Sequence, residues 1–146
     1  MQKKTGEKEV ICWGTGEPLR EFLHVDDFGA ACIHVLENWD PSSAFAPKDK
    51  FGNSLSYLNV GSGREISIKS LAESISKAVD YKGRIIWDDS FPNGTFRKKL
   101  DSSRIESLGW KSKITLEEGI SMVIKDIVEA FEDPTHKFLK NFSFNF

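Results

Sequence analysis

The sequence predicts an α/β fold, a small lopsided layer structure rather than a full doubly wound sheet. Three observations carry that expectation. Short apolar runs end at glycine turns: Val10-Ile-Cys-Trp13 at Gly14-Thr-Gly16, and Ser56-Tyr-Leu-Asn-Val60 at Gly61-Ser-Gly63. Between and beyond them lie stretches whose apolar residues recur at three and four, the period of a helix buried on one side. Strand candidates are few, and no internal repeat multiplies them.

Taken in order, residues 1–9 are polar and expected to fray, residues 10–133 form one domain, and residues 134–146 are a tail. Val10 to Trp13 is the first strand and Glu21-Phe-Leu-His-Val25 a second short candidate. Asp26 or Asp27 is placed to cap a helix, since a carboxylate accepts from the free amides of a first turn. That helix carries its apolar stripe on Phe28, Ala31, Val35, Leu36 and Trp39. Asp40 to Ser54, with Pro41, Pro47 and Gly52, reads as an exposed, mobile loop. After the strand at Ser56 to Val60, Ser67 caps a helix with Ile68, Leu71, Ala72, Ile75 and Val79 inward. Arg84-Ile-Ile-Trp87 is a further strand, entered through Tyr81-Lys-Gly83. Ser90 to Lys99 is a loop ending in the basic run Arg97-Lys98-Lys99, and Asp101 caps a short helix stopped by Gly109. Thr115-Leu-Glu-Glu118 is a capping box. It opens a helix carried on by Ile120, Val123, Ile124, Ile127 and Phe131 and ended at Asp133-Pro134.

Composition narrows the function classes. The 146 residues make one domain, able to hide roughly two-thirds of its unfolded surface without staples. Twenty basic against 22 acidic side chains, a net charge of −2, argue against a general nucleic-acid binder. No apolar run approaches the ~20 residues of a membrane span, and the polar start lacks a signal peptide's apolar core. Cys12 and Cys32 belong to no C-x-x-C pair and read as reduced thiols of a cytoplasmic protein. His24, His34 and His136 are too scattered for a zinc site.

The chemistry-bearing residues leave alternatives open. Gly61-Ser-Gly63 lies between a strand and a helix candidate, where a phosphate of a mononucleotide or dinucleotide could sit. A bulky residue fills the place of the third fingerprint glycine, so a tight turn is the plainer reading. A reductase of the short-chain type needs a tyrosine with a lysine four residues later, whose charge favours the phenolate. Gly61 follows Tyr57 at that spacing and Ile85 follows Tyr81, so the sequence has no Tyr-x-x-x-Lys. Asp26-Asp27 and Asp88-Asp89 are adjacent and point apart, which suits capping better than acid–base work. Arg20, Arg84, Arg97, Lys98 and Lys99 fall at turns or strand edges. Such groups converging from loops suit a diphosphate, and Trp13 offers a flat face to a base or sugar. A solvated basic loop with a core tryptophan, in a non-catalytic interaction domain, is the other reading.

Longer strings carry a resemblance. Trp13-Gly-Thr-Gly-Glu-Pro-Leu-Arg-Glu-Phe-Leu-His-Val-Asp-Asp27 closely resembles the WGTG-x-P-x-REFLHVDD segment of the GDP-L-fucose synthase family. Asn59-Val-Gly-Ser-Gly63, Tyr81-Lys-Gly-Arg84 and Pro92-Asn-Gly-Thr-Phe-Arg-Lys98 are similar to further stretches of that family, in one register from about Val10 to Phe131. Asn93 stands where the family usually has Asp, and Phe96 where it has Pro. The resemblance implies the carboxyl-terminal substrate domain of an extended short-chain dehydrogenase/reductase, without the complete Rossmann domain. It implies binding of GDP-4-keto-6-deoxy-mannose or GDP-fucose through Trp13, Arg20, Arg84, Asn93 and Lys98. NADP(H) would serve the complete enzyme through a cofactor domain that this chain lacks, and would not bind this chain tightly. The chain alone is then expected to be inactive and, with an apolar face uncovered, to self-associate.

Overall fold

The structure, a computed structural model, describes residues 8–132. The expected frayed start up to residue 7, the Asp133-Pro134 stop and the tail lie outside the described residues. The elements run β1 (Glu9–Trp13), β2 (Leu19–Glu21), α1 (Val25–Asn38), β3 (Glu65–Ser67), α2 (Ile68–Ala78), β4 (Arg84–Asp88), β5 (Arg97–Lys98), α3 (Ser103–Ser107) and α4 (Leu116–Glu132). This is the α/β arrangement the sequence predicts, with short strands and few of them.

The strands form two small sheets. β1 and β4 pair in parallel from Glu9 opposite Arg84 to Trp13 opposite Asp88. β2 is the middle strand of the second sheet, antiparallel to β3 and parallel to β5. Its position corrects one expectation. The strand is Leu19–Glu21, and Phe22 to His24 already lead into α1. A second correction concerns Ser56 to Val60, which form no strand. Leu58 and Val60 pack against the buried cluster of Ala31, Ile105 and Trp110, and Asn59 donates to the Asp101 carbonyl at 3.3 Å. The segment is thus held by side chains rather than by a ladder. The Arg97–Lys98 stretch, expected as loop, is a short strand because Leu19 and Arg20 of β2 offer it a partner.

Helix starts follow local chemistry. Ser67 caps α2 by accepting from the Ser70 amide at 3.0 Å. Thr115 and Glu118 form the capping box in full: Thr115 N–H donates to Glu118 Oε2 at 2.8 Å, and Glu118 N–H to Thr115 Oγ1 at 3.2 Å. α1 departs from expectation, for its cap is His24, whose Nδ1 accepts from the Asp26 amide at 3.2 Å. Asp27 turns inward instead, accepting from the amides of Lys113 (3.0 Å) and Ile114 (2.9 Å). A buried carboxylate thereby ties the first turn of α1 to the approach to α4. Of the stripe expected on α1, Ala31 is buried and Val35 half-buried, whereas Phe28 and Leu36 face outward. Most of the 40–54 loop is exposed, although Ala46 within it is buried.

Candidate functional site

The Gly14–Gly16 turn links the two sheets, and the segment after β4 is fastened to it. Gly14 N–H donates to the Asp88 carbonyl at 2.7 Å, and Leu19 N–H to that of Phe96 at 2.8 Å. Asn93 Oδ1 accepts from Thr15 N–H at 2.7 Å and from its hydroxyl at 3.2 Å. Its amide oxygen is therefore engaged in fixing the turn. Trp13 stacks on Phe91 with ring centroids 4.5 Å apart and planes 10° apart, yet stays 71% exposed. One indole face is covered and the other is open to a planar group.

Strand alternation sorts the charges of the second sheet. Arg20 and Lys98 are register partners on β2 and β5, so they leave the sheet on the same face, about 4.8 Å apart at the backbone. Glu21, Glu65 and Arg97 belong to the alternate positions and the opposite face. There Arg97 grips Glu65 in a two-pronged pair, Nε–Oε1 2.7 Å and Nη2–Oε2 2.5 Å. Arg20 Nη1 donates to the Leu19 carbonyl at 2.6 Å, and Lys98 is exposed with no ion-pair partner among the described residues. Two cations side by side, with the carboxylates of their strands turned away, make a local preference for an anion.

The Arg97 hydrogen bonds, and secondarily the charges of Arg97 and Lys99, hold the Glu65 carboxyl below its ordinary value of 4.5. A carboxylate depressed in the folded state stabilises above its unfolded pKa, and that stabilisation disappears as the pH falls through the folded value. Wild type is accordingly expected to melt above Glu65→Gln at neutral pH, with the gap closing as the pH drops below 4.5. Thermal melts of both proteins across that range check this.

Arg84 is not brought to these residues. It opens β4 opposite Glu9, with which it forms an ion pair, while Trp13 closes β1 opposite Asp88. Four residue steps, about 13 Å, separate the two ends of the ladder. Arg84 thus stands at the far end of the ladder from Trp13.

Glu21 is a residue that sequence reasoning missed. Its Oε1 accepts from Gly63 N–H at 2.6 Å and its Oε2 from Leu100 N–H at 3.0 Å, joining three segments. A Cβ on Gly61 would lie 2.6–2.8 Å from this carboxylate, so the glycine makes room for it. The signal in the sequence was its place in the Arg20-Glu-Phe-Leu-His-Val-Asp-Asp27 string. This carboxylate weighs against Gly61-Ser-Gly63 as a phosphate loop, because it takes the amide and carries the wrong charge. β3 also stands between that turn and α2. In the other turn, the Gly14 and Thr15 amides are likewise occupied. The Gly14, Thr15 and Gly63 amides are therefore not free for a phosphate. A cleft of about 630 Å³ beside the Glu21 junction is lined by Gly63, Arg97, Lys99, Asp101 and Ser102 among others, and by none of the five expected site residues. Among the described residues no group of His, Cys, Asp and Glu could hold a metal ion, and no helix is long and apolar enough to cross a membrane.

Comparison with known proteins agrees with these strings and this fold. The NAD dependent epimerase/dehydratase family matches residues 1–45. The chain is 43% identical over 127 residues to probable GDP-L-fucose synthase 1 of Oryza sativa subsp. japonica, covering 87% of itself and 35% of that protein. It is 43% identical over 129 residues to GDP-L-fucose synthase of Escherichia coli (strain K12), covering 83% of itself and 36% of that protein. Among solved structures, MlghC, a GDP-mannoheptose C4 reductase from Campylobacter jejuni with NADP bound, superposes with a TM-score of 0.67 at 34% identity, over 81% of this chain and 34% of that one. The chain thus spans about a third of the length of the relatives it matches. In sequence the chain is similar to GDP-L-fucose synthases over that third, and its fold is part of an extended short-chain dehydrogenase/reductase fold.

Proposed function

We propose that the chain is the carboxyl-terminal, substrate-binding portion of a cytoplasmic GDP-L-fucose synthase. It holds GDP-4-keto-6-deoxy-mannose, or the GDP-fucose product, while epimerisation and NADPH-dependent reduction take place on residues outside it. The observation that carries this reading is the placing of Arg20 and Lys98 side by side on a face without strand carboxylates. The Gly14–Gly16 turn joins β2 to the exposed indole of Trp13. In this reading the two cations take the diphosphate and Trp13 stacks on a ring of the nucleotide-sugar. Asn93 positions the turn between them through Thr15. Arg84 has no part in it. NADP(H), which supplies the hydride in the complete enzyme, is held by the remainder of that enzyme. With no Tyr-x-x-x-Lys in its sequence, the chain alone does not turn over.

Calorimetric titration of GDP-fucose tests this. A charge-assisted hydrogen bond contributes about 1.5–3 kcal/mol, so Arg20→Ala and Lys98→Ala should each weaken binding at least about tenfold, and Arg84→Ala should not. Unchanged affinity in both variants would identify an interaction domain instead. Tight NADP(H) binding that survives replacement of Trp13 and Arg20 would favour the phosphate loop. Consumption of NADPH absorbance by the chain and the keto-sugar, above a buffer control, would refute the lack of turnover.

A further inference from the structure

We propose that Glu21 is a positioning residue for the two cations: its carboxylate holds β5 in register, and through β5 it sets where Lys98 stands beside Arg20. This role rests on the reading of Arg20 and Lys98 as the diphosphate cations. β5 is two residues long and meets β2 in two register pairs, Leu19 with Arg97 and Arg20 with Lys98. Strands ordinarily run about 3–10 residues, and a ladder this short holds weakly by itself. Lys98 lies between two tethers. Upstream, the Leu19 amide donates to the Phe96 carbonyl at 2.8 Å. Downstream, the Leu100 amide donates to Glu21 Oε2 at 3.0 Å, just past the end of the ladder. The carboxylate thus does for Leu100 what a further ladder bond would do.

The reverse face of the sheet is arranged for this. Glu21 on β2 is the register partner of Glu65 on β3, and like charges directly opposite repel. Arg97 takes Glu65, with Nε–Oε1 2.7 Å, and the Gly63 and Leu100 amides take Glu21. Both carboxylates so reach β5 or its continuation, one through a side chain and one through the backbone. They pin it from behind while Arg20 and Lys98 face the other way. Gly61 is buried, and a Cβ there would lie 2.6 Å from Glu21 Oε1, so the clamp needs that glycine. Gly63 and Leu100 are exposed, so water replaces the carboxylate when it is removed. Loss of Glu21 is then a loss of register at Lys98 more than of the fold.

Calorimetric titration of GDP-fucose into the full chain tests this as a double-mutant cycle. Lys98→Ala is expected to weaken binding at least about tenfold in the wild-type background, and Glu21→Ala by a similar factor. In the Glu21→Ala background Lys98→Ala should cost less than about twofold more, because the ammonium has already left its place. Arg20→Ala should keep its tenfold effect there. Hydrogen exchange at the Leu100 amide, followed by NMR, should quicken at least about tenfold in Glu21→Ala. A role confined to the fold moves the melting temperature and leaves the losses of Glu21→Ala and Lys98→Ala multiplying. Glu21→Gln keeps one acceptor oxygen for two amides and should fall between wild type and Glu21→Ala. Gly61→Ala, whose backbone is outside the left-handed region, should reproduce Glu21→Ala by displacing the carboxylate. Those two variants carry the test if Glu21→Ala does not fold. Multiplying losses, unchanged affinity in Glu21→Ala beside a weakened Lys98→Ala, or unchanged exchange at Leu100 overturns the positioning role alone. Unchanged affinity in both Arg20→Ala and Lys98→Ala overturns the GDP-sugar reading and the positioning role with it.

Discussion

Asp27→Ala is expected to remove about 3 kcal/mol of stability, read as a lowered urea midpoint by tryptophan fluorescence. The carboxylate is 4% exposed and accepts from two backbone amides, those of Lys113 and Ile114. Hydrogen bonds to a charged group contribute about 1.5–3 kcal/mol, and deleting the acceptor leaves two amides in a site where water does not readily replace it. Domains of this size have only about 5–15 kcal/mol in total, so the loss is a large share. Asp27→Asn keeps the volume and one carbonyl oxygen and should lose less. Equal stability of wild type and Asp27→Ala would show that the 113–114 segment is held by something else.

Gly16→Ala is expected to cost about as much by a different route. Gly16 has φ +75°, where a side chain adds roughly 1–2 kcal/mol. The new methyl would also lie 2.7 Å from Trp87 Cη2 and 2.9 Å from Lys69 Cβ, overpacking that adds about 1–3 kcal/mol. Gly52→Ala is the internal control. Its φ is +85° with nothing within 4 Å of the added carbon, so only the backbone component applies. Chemical denaturation of both variants separates conformation from packing. Equal losses would remove the Trp87 contact from the account.

What could be read from the sequence is what neighbouring residues decide among themselves. The capping box at Thr115, the Ser67 cap and the cores of β1 and β4 all follow from short patterns. What could not be read depends on a partner far along the chain. Asp27 leaves the cap of its own helix because amides 86 and 87 residues away claim it, and His24 takes its place. Ser56 to Val60 have strand-forming residues, yet Leu58 and Val60 pack against the buried cluster and the segment joins neither sheet. In the candidate site, Arg20 and Lys98 read as separate loop cations in the sequence, and only the β2–β5 register sets them side by side. Register equally separates Arg84 from Trp13. Glu21 was invisible because its two acceptor oxygens serve amides 42 and 79 residues downstream.

The β1–β4 ladder sets a clock on biosynthesis. Glu9 and Arg84 are 75 residues apart, so β1 leaves the ribosome and waits for its mate while the intervening helices are made. At typical elongation rates that delay is about 4–15 s, long compared with the microseconds in which a helix forms. Nascent α1 and α2 can therefore be in place before β1 has found its neighbour, and pairing of such high contact order should govern the slow phase of refolding.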